Sequence, residues 1–229
     1  MTSRNSATVI VVHGAWADGS SWNKVLLPLQ RRGIRAVAAP IPLTSLSDDA
    51  AAVARAIART QGPLVLAAHA YAGAVIATVH DPRVRALVYV AALAPDEGET
   101  VAQVFYRDPP HELAPKLAPD DDGFIWMPEE GFRNAFAQNA GVEELALAAA
   151  VQRPISVRCI QEPAPRPAWR SKPTWFLVAQ QDRMINPVTQ EFMAARMGAT
   201  VRPLPVDHTP LLTAPDAVVD LIMESTGGL

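Results

Sequence analysis

Cysteine is almost absent from this chain of 229 residues, since Cys159 is the only one. An internal disulfide framework is therefore excluded, and the composition favours a reducing compartment. An excess of basic charge is also missing: 20 lysines and arginines stand against 23 aspartates and glutamates, which gives a net charge of -3. This balance favours neither a nucleic acid nor an anionic membrane as a partner.

Long apolar runs are missing as well. No stretch approaches the roughly 20 apolar residues of a membrane-spanning helix. The polar residues 1–5 lead into the apolar run 7–12, which is too short for a secretory signal and is followed by His13-Gly14 rather than a cleavage site. We therefore expect a cytoplasmic protein.

Fingerprints of cofactor sites are not found either. The chain has no Gly-x-Gly-x-x-Gly segment and no phosphate loop, and its five histidines are scattered rather than paired at the spacing of metal ligands. We expect no cofactor and no metal, and a small-molecule substrate as the partner. The sequence leaves a homodimer open.

What the sequence does contain is an alternation of short apolar runs and amphipathic stretches. The runs are nearly continuous in apolar character, as in parallel strands that are covered on both faces. We predict an α/β fold with a mostly parallel sheet flanked by helices. The predicted strands are residues 9–12, 35–39, 63–67, 85–91, 174–179 and 200–204, and the predicted helices are residues 21–33, 46–60, 72–79, 187–198 and 216–224.

The alternation breaks between residues 95 and 173, where proline and acidic residues are frequent. We interpret residues 95–173 as a helical cap, inserted before the penultimate core strand into a core of residues 1–94 and 174–229, all within one compact domain. Two further helices are predicted there, at 129–139 and 142–152. The aromatic residues of the cap either line a pocket or hold the cap on the core; the candidates for the pocket are Phe105, Trp126 and Phe136.

Three segments carry chemistry, and the first is His13-Gly14-Ala15-Trp16 after the first strand. Glycine lets a backbone approach a substrate closely, so the amides of Ala15 and Trp16 are candidate donors to an oxyanion. His13 and Gly14 are candidates for the substrate pocket. An ordinary strand-to-helix turn with a glycine is the alternative.

The second segment is Ala68-His69-Ala70-Tyr71-Ala72, which joins a strand to a helix. Its small residues meet the steric demands of a nucleophile elbow, which normally has the pattern Gly-x-Ser-x-Gly. Here alanine replaces both glycines and the serine. Ala70 therefore occupies the nucleophile position without a nucleophile.

The third segment is a pair: Asp182 and His208 each follow a predicted strand. Carboxyl ends of parallel strands face the active-site crevice, and the order nucleophile, acid, base matches a catalytic triad. The alternatives are a helix-capping histidine and a carboxylate at a helix N-terminus. Asp96, beyond the strand at 85–91, is a second candidate for the acid.

These segments resemble the small bacterial α/β-hydrolases related to plant methylesterases and hydroxynitrile lyases. Three phrases are typical of that group: residues 13–22 (HGAWADGSSW), 88–99 (VYVAALAPDEGE) and 168–173 (AWRSKP). The resemblance implies the α/β-hydrolase fold. It further implies that Asp182 orients the ring of His208, and that the oxyanion hole consists of the amide of Ala15 or Trp16 together with that of Tyr71.

The missing hydroxyl has three explanations. In the first, alanine replaces a natural serine in an esterase or lactonase for a small, apolar carbonyl substrate. In the second, alanine is natural, and His208 with Asp182 is the general base of a lyase, an isomerase or a cofactor-free oxygenase. In the third, the protein binds a ligand without catalysis. Cys159 fits a small buried residue better than a replacement nucleophile. Because the segments otherwise match a hydrolase, we predict that class, with serine-type activity lost.

Overall fold

A six-stranded parallel sheet forms the centre of the computed structural model, which describes residues 7–227; the polar stretch 1–5 lies outside them. The strand order is β2-β1-β3-β4-β7-β8, and a two-stranded antiparallel sheet, β5-β6, lies apart from it. The predicted α/β fold with a mostly parallel sheet is confirmed. The strands are β1 (Thr8–Val12), β2 (Arg35–Ala39), β3 (Leu64–His69), β4 (Val84–Val90), β5 (Phe124–Ile125), β6 (Ile155–Ser156), β7 (Thr174–Ala179) and β8 (Thr200–Leu204).

Helices cover both faces of the sheet, which explains why β1 and β3 are buried at every position. One apolar cluster joins the sheet to α1 and α10, and the other joins it to α2, α3 and α8. In the described range, no helix is long and apolar enough to cross a membrane. The helices are α1 (Asn23–Arg31), α2 (Leu46–Ala58), α3 (Ala72–Ala77), α4 (Val101–Phe105), α5 (Glu129–Gly131), α6 (Val142–Ala150), α7 (Val157–Gln161), α8 (Pro187–Arg196), α9 (Pro210–Thr213) and α10 (Pro215–Thr226).

Residues 95–173, called the cap segment below, lie between β4 and β7, which are neighbours in the sheet. The predicted helix at 129–139 is α5 followed by a π-helical turn over Phe132–Phe136, and the predicted helix at 142–152 is α6. The short elements α4, β5, β6 and α7 were not predicted. Segments of two to five residues are too short for a periodic pattern, so tertiary contacts determine them.

Helix α3 packs closely on the chain that follows β4. A Cβ atom added at Gly73 would lie 2.9 Å from the Cβ of Ala92 and closer still to the carbonyl oxygen of Leu93. The backbone carbonyl cannot rotate away as a side chain would. Gly73 therefore allows α3 to begin directly behind β3, which is what the turn at Ala70 requires.

We expect Gly73→Ala to lower the free energy of unfolding by about 2 kcal/mol. Alanine gains about 1 kcal/mol over glycine in a helix. Overpacking costs about 1–3 kcal/mol, and against a fixed backbone carbonyl we expect the upper end, about 3 kcal/mol, which leaves a net loss of about 2 kcal/mol. Urea denaturation measures the change. Gly141→Ala is the control, because a Cβ atom added at Gly141 would lie no closer than 3.6 Å to any neighbouring atom. Equal losses of stability in the two variants would contradict the prediction.

Candidate active site

Ala70 lies at the apex of a strained turn between β3 and α3. Its φ is +51°, in the left-handed region that residues other than glycine rarely adopt. The turn is fixed because the carbonyl oxygen of Ala70 accepts hydrogen bonds from the amides of Gly73 (3.1 Å) and Leu93 (2.9 Å). This is the backbone geometry of a nucleophile elbow, and it presents the side chain of residue 70 at the carboxyl edge of the sheet.

Asp182 and His208 form a buried hydrogen-bonded pair. His208 Nδ1 donates to Asp182 Oδ2 at 2.8 Å, and neither residue is more than 2% exposed. Asp182 Oδ1 accepts from the amides of Met184 (2.7 Å) and Ile185 (2.9 Å), and Oδ2 accepts from Gln190 Nε2 (2.7 Å). These donors fix the carboxylate, and with a proton on Nδ1 directed at Asp182, Nε2 is the ring nitrogen left to exchange a proton with a substrate. No single-sequence signal indicated Gln190.

His69 supports the loop that holds His208. Its Nε2 donates to the carbonyl oxygen of His208 at 2.7 Å, and the two ring centroids are 4.8 Å apart. Burial lowers the pKa of His69 well below its usual value, so the ring is neutral. The end of β3 is thereby tied to the loop after β8.

Ala70 and His208 line the same pocket, which has a volume of about 70 Å³. Phe105 and Phe136 line it as well. Trp126 is not among the lining residues: it is 52% exposed, and its indole donates to Asp120 Oδ2 at 3.1 Å. The lining consists of Ala15, Trp16, Ala70, Tyr71, Leu93, Val101, Ala102, Phe105, Tyr106, Leu117, Ile125, Phe136, Ile155, Ile160, Met184, Ile185 and His208.

His13 and Gly14 lie behind the pocket rather than in its lining. A Cβ at Gly14 would be 2.9 Å from the Cβ of Ala70, so glycine permits the close approach of the two loops. His13 is 1% exposed, and burial lowers its pKa. Both residues therefore pack behind the residues that line the pocket and do not line it themselves.

Trp16 differs from the expectation for the oxyanion hole. Its amide donates to the carbonyl oxygen of Arg153 at 3.1 Å, and its indole donates to the carbonyl oxygen of Ile125 at 2.9 Å. Because the Trp16 amide already donates to a carbonyl oxygen of the protein, it is not available as an oxyanion donor. Ala15 and Tyr71 both line the pocket, and their amides donate to no group of the described chain.

Asp96 is engaged elsewhere. Its carboxylate accepts two hydrogen bonds of 2.7 Å from Arg170 Nη2 and one of 2.9 Å from Nε. The acid that contacts His208 is Asp182. Within residues 7–227, no group of three or more histidine, cysteine or acidic residues is arranged to hold a metal ion.

A buried carboxylate behind the pocket was missed. Asp49 is 0% exposed, and it accepts hydrogen bonds from the phenol of Tyr71 and the amide of Leu43, each at 2.7 Å. The sequence held a signal, because Asp49 falls on the apolar face of α2 with Leu46, Val53 and Ile57.

Burial raises the pKa of Asp49 from 3.8 to about 6, although the hydrogen bonds from Tyr71 and Leu43 oppose the change. The folded protein therefore holds this proton more tightly than the unfolded chain, and the native state is favoured as the pH falls from about 6 to about 4. The difference in pKa corresponds to about 3 kcal/mol.

Relative to Asp49→Asn, we expect the native protein to lose about 2.5 kcal/mol of stability as the pH rises from about 4 to 7. Urea denaturation of both proteins across this range measures the difference, in which the titration of all other groups cancels. A difference that is constant with pH would contradict the prediction. Asp48→Asn is the matched control, because Asp48 is exposed on the same helix.

The comparisons with solved structures agree with this fold. A pyrethroid hydrolase from Sphingobium faniae JZ-2 matches with a TM-score of 0.82 and 22% identity, over 97% of this chain and 98% of the other. A variant of tomato methylketone synthase I in complex with beta-ketoheptanoate matches with a TM-score of 0.83 and 14% identity, over 97% of this chain and 98% of the other. A methylesterase from Arabidopsis matches with a TM-score of 0.78 and 15% identity, over 97% of this chain and 100% of the other.

At these identities the likeness shows the fold alone. No curated protein sequence gives a significant match. The sequence profile described as "Alpha/beta hydrolase family" matches residues 9–221, which is most of the chain. This protein belongs to the alpha/beta hydrolase family, and its fold is that of the methylesterase-like members.

Proposed function

We propose that this chain carries an esterase-type site for a small, apolar carbonyl compound, complete except for the attacking hydroxyl. One observation carries the proposal: Ala70 occupies the strained apex of the elbow and lines the same pocket as His208, which is bonded to Asp182. A general base, its acid and a preformed turn are retained around a methyl group.

With a hydroxyl on residue 70, the chemistry follows directly. His208 Nε2 takes the hydroxyl proton while the oxygen bonds to the carbonyl carbon, and the carbonyl electrons move to an oxyanion that the amides of Ala15 and Tyr71 stabilise. The alcohol leaves with the proton from His208, and water then hydrolyses the acyl-enzyme by the same route. With a methyl group no acyl-enzyme forms.

The pocket favours a neutral, apolar substrate. Its described lining contains no lysine, arginine, aspartate or glutamate. A carboxylate on the substrate would be desolvated without a cationic partner, which is costly. The names of the pyrethroid hydrolase and of the methylesterase support ester hydrolysis as the reaction class.

Restoring the hydroxyl tests the proposal. We expect Ala70→Ser to be labelled covalently by a fluorophosphonate, because the reagent reacts with a serine that a histidine activates. Mass spectrometry of the intact protein shows the adduct. The protein with Ala70 and the double variant Ala70→Ser/His208→Ala are the controls; a folded Ala70→Ser that is labelled no faster than they are would overturn the proposal.

A second candidate is decarboxylation of a β-keto acid without a nucleophile, a reaction of the lyase class. The alanine at position 70 favours it, because the reaction needs no attacking hydroxyl. The C–C bond to the carboxylate breaks and CO₂ leaves, while the electron pair of that bond moves into an enolate whose oxygen lies near the two free amides. A proton carried by His208 is then transferred to the enolate carbon, which gives the ketone. The negative charge is localised on the carboxylate of the substrate and becomes delocalised in the transition state that leads to the enolate. Because an apolar pocket destabilises the localised charge more than the delocalised one, it speeds the reaction.

The complex of methylketone synthase with beta-ketoheptanoate names a first substrate to try. Under this second candidate, the protein with Ala70 converts beta-ketoheptanoate to hexan-2-one faster than the spontaneous reaction, and His208→Ala removes the difference. Gas chromatography measures the ketone. Recovery of the keto acid at the spontaneous rate would contradict decarboxylation of this substrate and would leave the esterase-type proposal unaffected.

A further inference from the structure

Asp49 joins three segments of the chain that are far apart in sequence. It lies on α2, accepts from the amide of Leu43 in the loop after β2, and accepts from the phenol of Tyr71 directly after the elbow. The thiol of Cys159, on α7 of the cap segment, lies 3.6 Å from the carboxylate oxygen Oδ2 that also accepts from Tyr71. The elbow, the core and the cap segment therefore meet at one buried carboxylate.

This carboxylate has no cationic partner among the described residues; it is absent from every ion pair found there. Neutral donors alone solvate it. A buried charge held in this way is costly, whereas a leucine at position 49 would continue the apolar face of α2. Packing alone therefore gives no reason for an aspartate here.

Tyr71 is the link to the site. Tyr71 is one of the residues that line the substrate pocket, its phenol donates to Asp49, and its backbone amide, which follows Ala70, donates to no described group. Fixing the ring restricts the backbone of residue 71, and an oxyanion donor is effective only when its direction is set beforehand. The orientation of this amide thus depends on what holds the phenol.

We propose that Asp49 is a positioning residue of the oxyanion hole, which acts by anchoring the phenol of Tyr71 and thereby the amide of the elbow. The oxyanion role of that amide rests on the proposed function. The anchoring of the phenol does not rest on it, since the hydrogen bond between Tyr71 and Asp49 is a property of the turn itself.

The titratable groups around Asp49 are few. Asp48 precedes it on α2, Tyr71 faces it from the elbow, and Cys159 faces it from α7. Burial raises the pKa values of the Tyr71 phenol and the Cys159 thiol well above their usual values, so both stay protonated near neutral pH and serve as donors. The carboxylate of Asp49 is the group of this cluster that titrates near pH 6.

The first experiment uses the protein with Ala70 and needs no activity. We expect the backbone amide of Tyr71, followed by ¹⁵N NMR, to shift with pH around 6, and this shift to vanish in Asp49→Asn. Hydrogen exchange of that amide is expected to be about 10-fold faster in Asp49→Asn, whose neutral amide binds the phenol more weakly than a carboxylate, and in Tyr71→Phe, which has no phenol to bind. Asp48→Asn, with the same loss of charge on the same helix, is expected to match the parent protein.

The second experiment uses Ala70→Ser and p-nitrophenyl butyrate. We expect Asp49→Asn to lower kcat about 10-fold with little change in KM, since an oxyanion donor acts on the transition state. Tyr71→Phe should have the same effect, and the combination should cost no more than either alone.

The two experiments separate the possible failures. A merely structural Asp49 would lower the melting temperature and leave the Tyr71 amide, kcat and KM of the folded protein unchanged, which would overturn the proposal. If Asp49→Asn does not fold, Tyr71→Phe decides by the same measurements. An inactive Ala70→Ser would count against the proposed function, while the amide measurement still decides the role of Asp49.

Discussion

Ala70→Ser is expected to hydrolyse p-nitrophenyl butyrate about 10⁴-fold faster than the protein with Ala70. Removal of a triad serine costs about 10⁶-fold in kcat, and the acid, the base and two free amides are already present around residue 70. We expect less than full recovery, because the positions that normally hold glycine are Ala68 and Ala72. Initial rates measured at saturating ester give the ratio.

A hydroxyl placed elsewhere in the pocket is the control for this gain. Ala102, on α4, lines the same pocket and contributes a methyl group of the same size. Ala102→Ser should leave the rate at that of the parent protein, because no histidine activates the new hydroxyl. If Ala102→Ser and Ala70→Ser accelerate the reaction equally, the gain comes from polarity and the elbow has no special role.

In the Ala70→Ser background, Asp182→Asn is expected to lower kcat about 10⁴-fold. The two oxygens of Asp182 have different partners: Oδ1 accepts from two backbone amides, which cannot turn away, and Oδ2 accepts from His208 and from the side chain of Gln190. The single oxygen of asparagine is therefore retained at the Oδ1 position, and its NH₂ group faces His208 Nδ1. The ring must then accept at Nδ1 and carry its proton on Nε2, where it cannot take the proton of a serine.

Asp207→Asn is the matched control for this loss. Asp207 precedes His208 and is also buried, but its carboxylate accepts from the amide of Asn139 and the hydroxyl of Thr213. We expect Asp207→Asn to lower stability and to leave kcat of the folded enzyme within a few-fold. Equal losses of kcat in the two variants would mean that Asp182 acts through the fold of the loop and not through the imidazole.

The core strands could be predicted from the sequence because strands that are buried on both faces have nearly continuous apolar sequences. Five of the six predicted strands begin and end within one residue of the observed ones; the exception is β3, which continues to His69 where we ended the strand at residue 67. The fold class follows from the alternation. The contact between Asp182 and His208 is consistent with the chain order, because parallel strands bring their carboxyl ends to one edge.

The rest depends on contacts that a single sequence does not contain. The amide of Trp16 is occupied by Arg153, which is 137 positions later in the chain, and no local pattern announces this bond. Trp126 belongs to a region in which proline, acidic and aromatic residues alternate without a period, so its exposure could not be inferred. The helical periodicity places Asp49 on an apolar helix face, but no pattern in the sequence indicates that Tyr71 is its hydrogen-bond partner.

The two bonds of Trp16 have a mechanical consequence. Its backbone amide and its indole are both fastened to carbonyl oxygens of the cap segment, and the neighbouring amide of Ala15 is one of the two that remain free in the pocket. A displacement of the cap segment at Arg153 or Ile125 would therefore break one of these hydrogen bonds or shift the loop that contains Ala15. The direction of the Ala15 amide thus depends on contacts with a part of the chain that is more than 100 residues away in sequence.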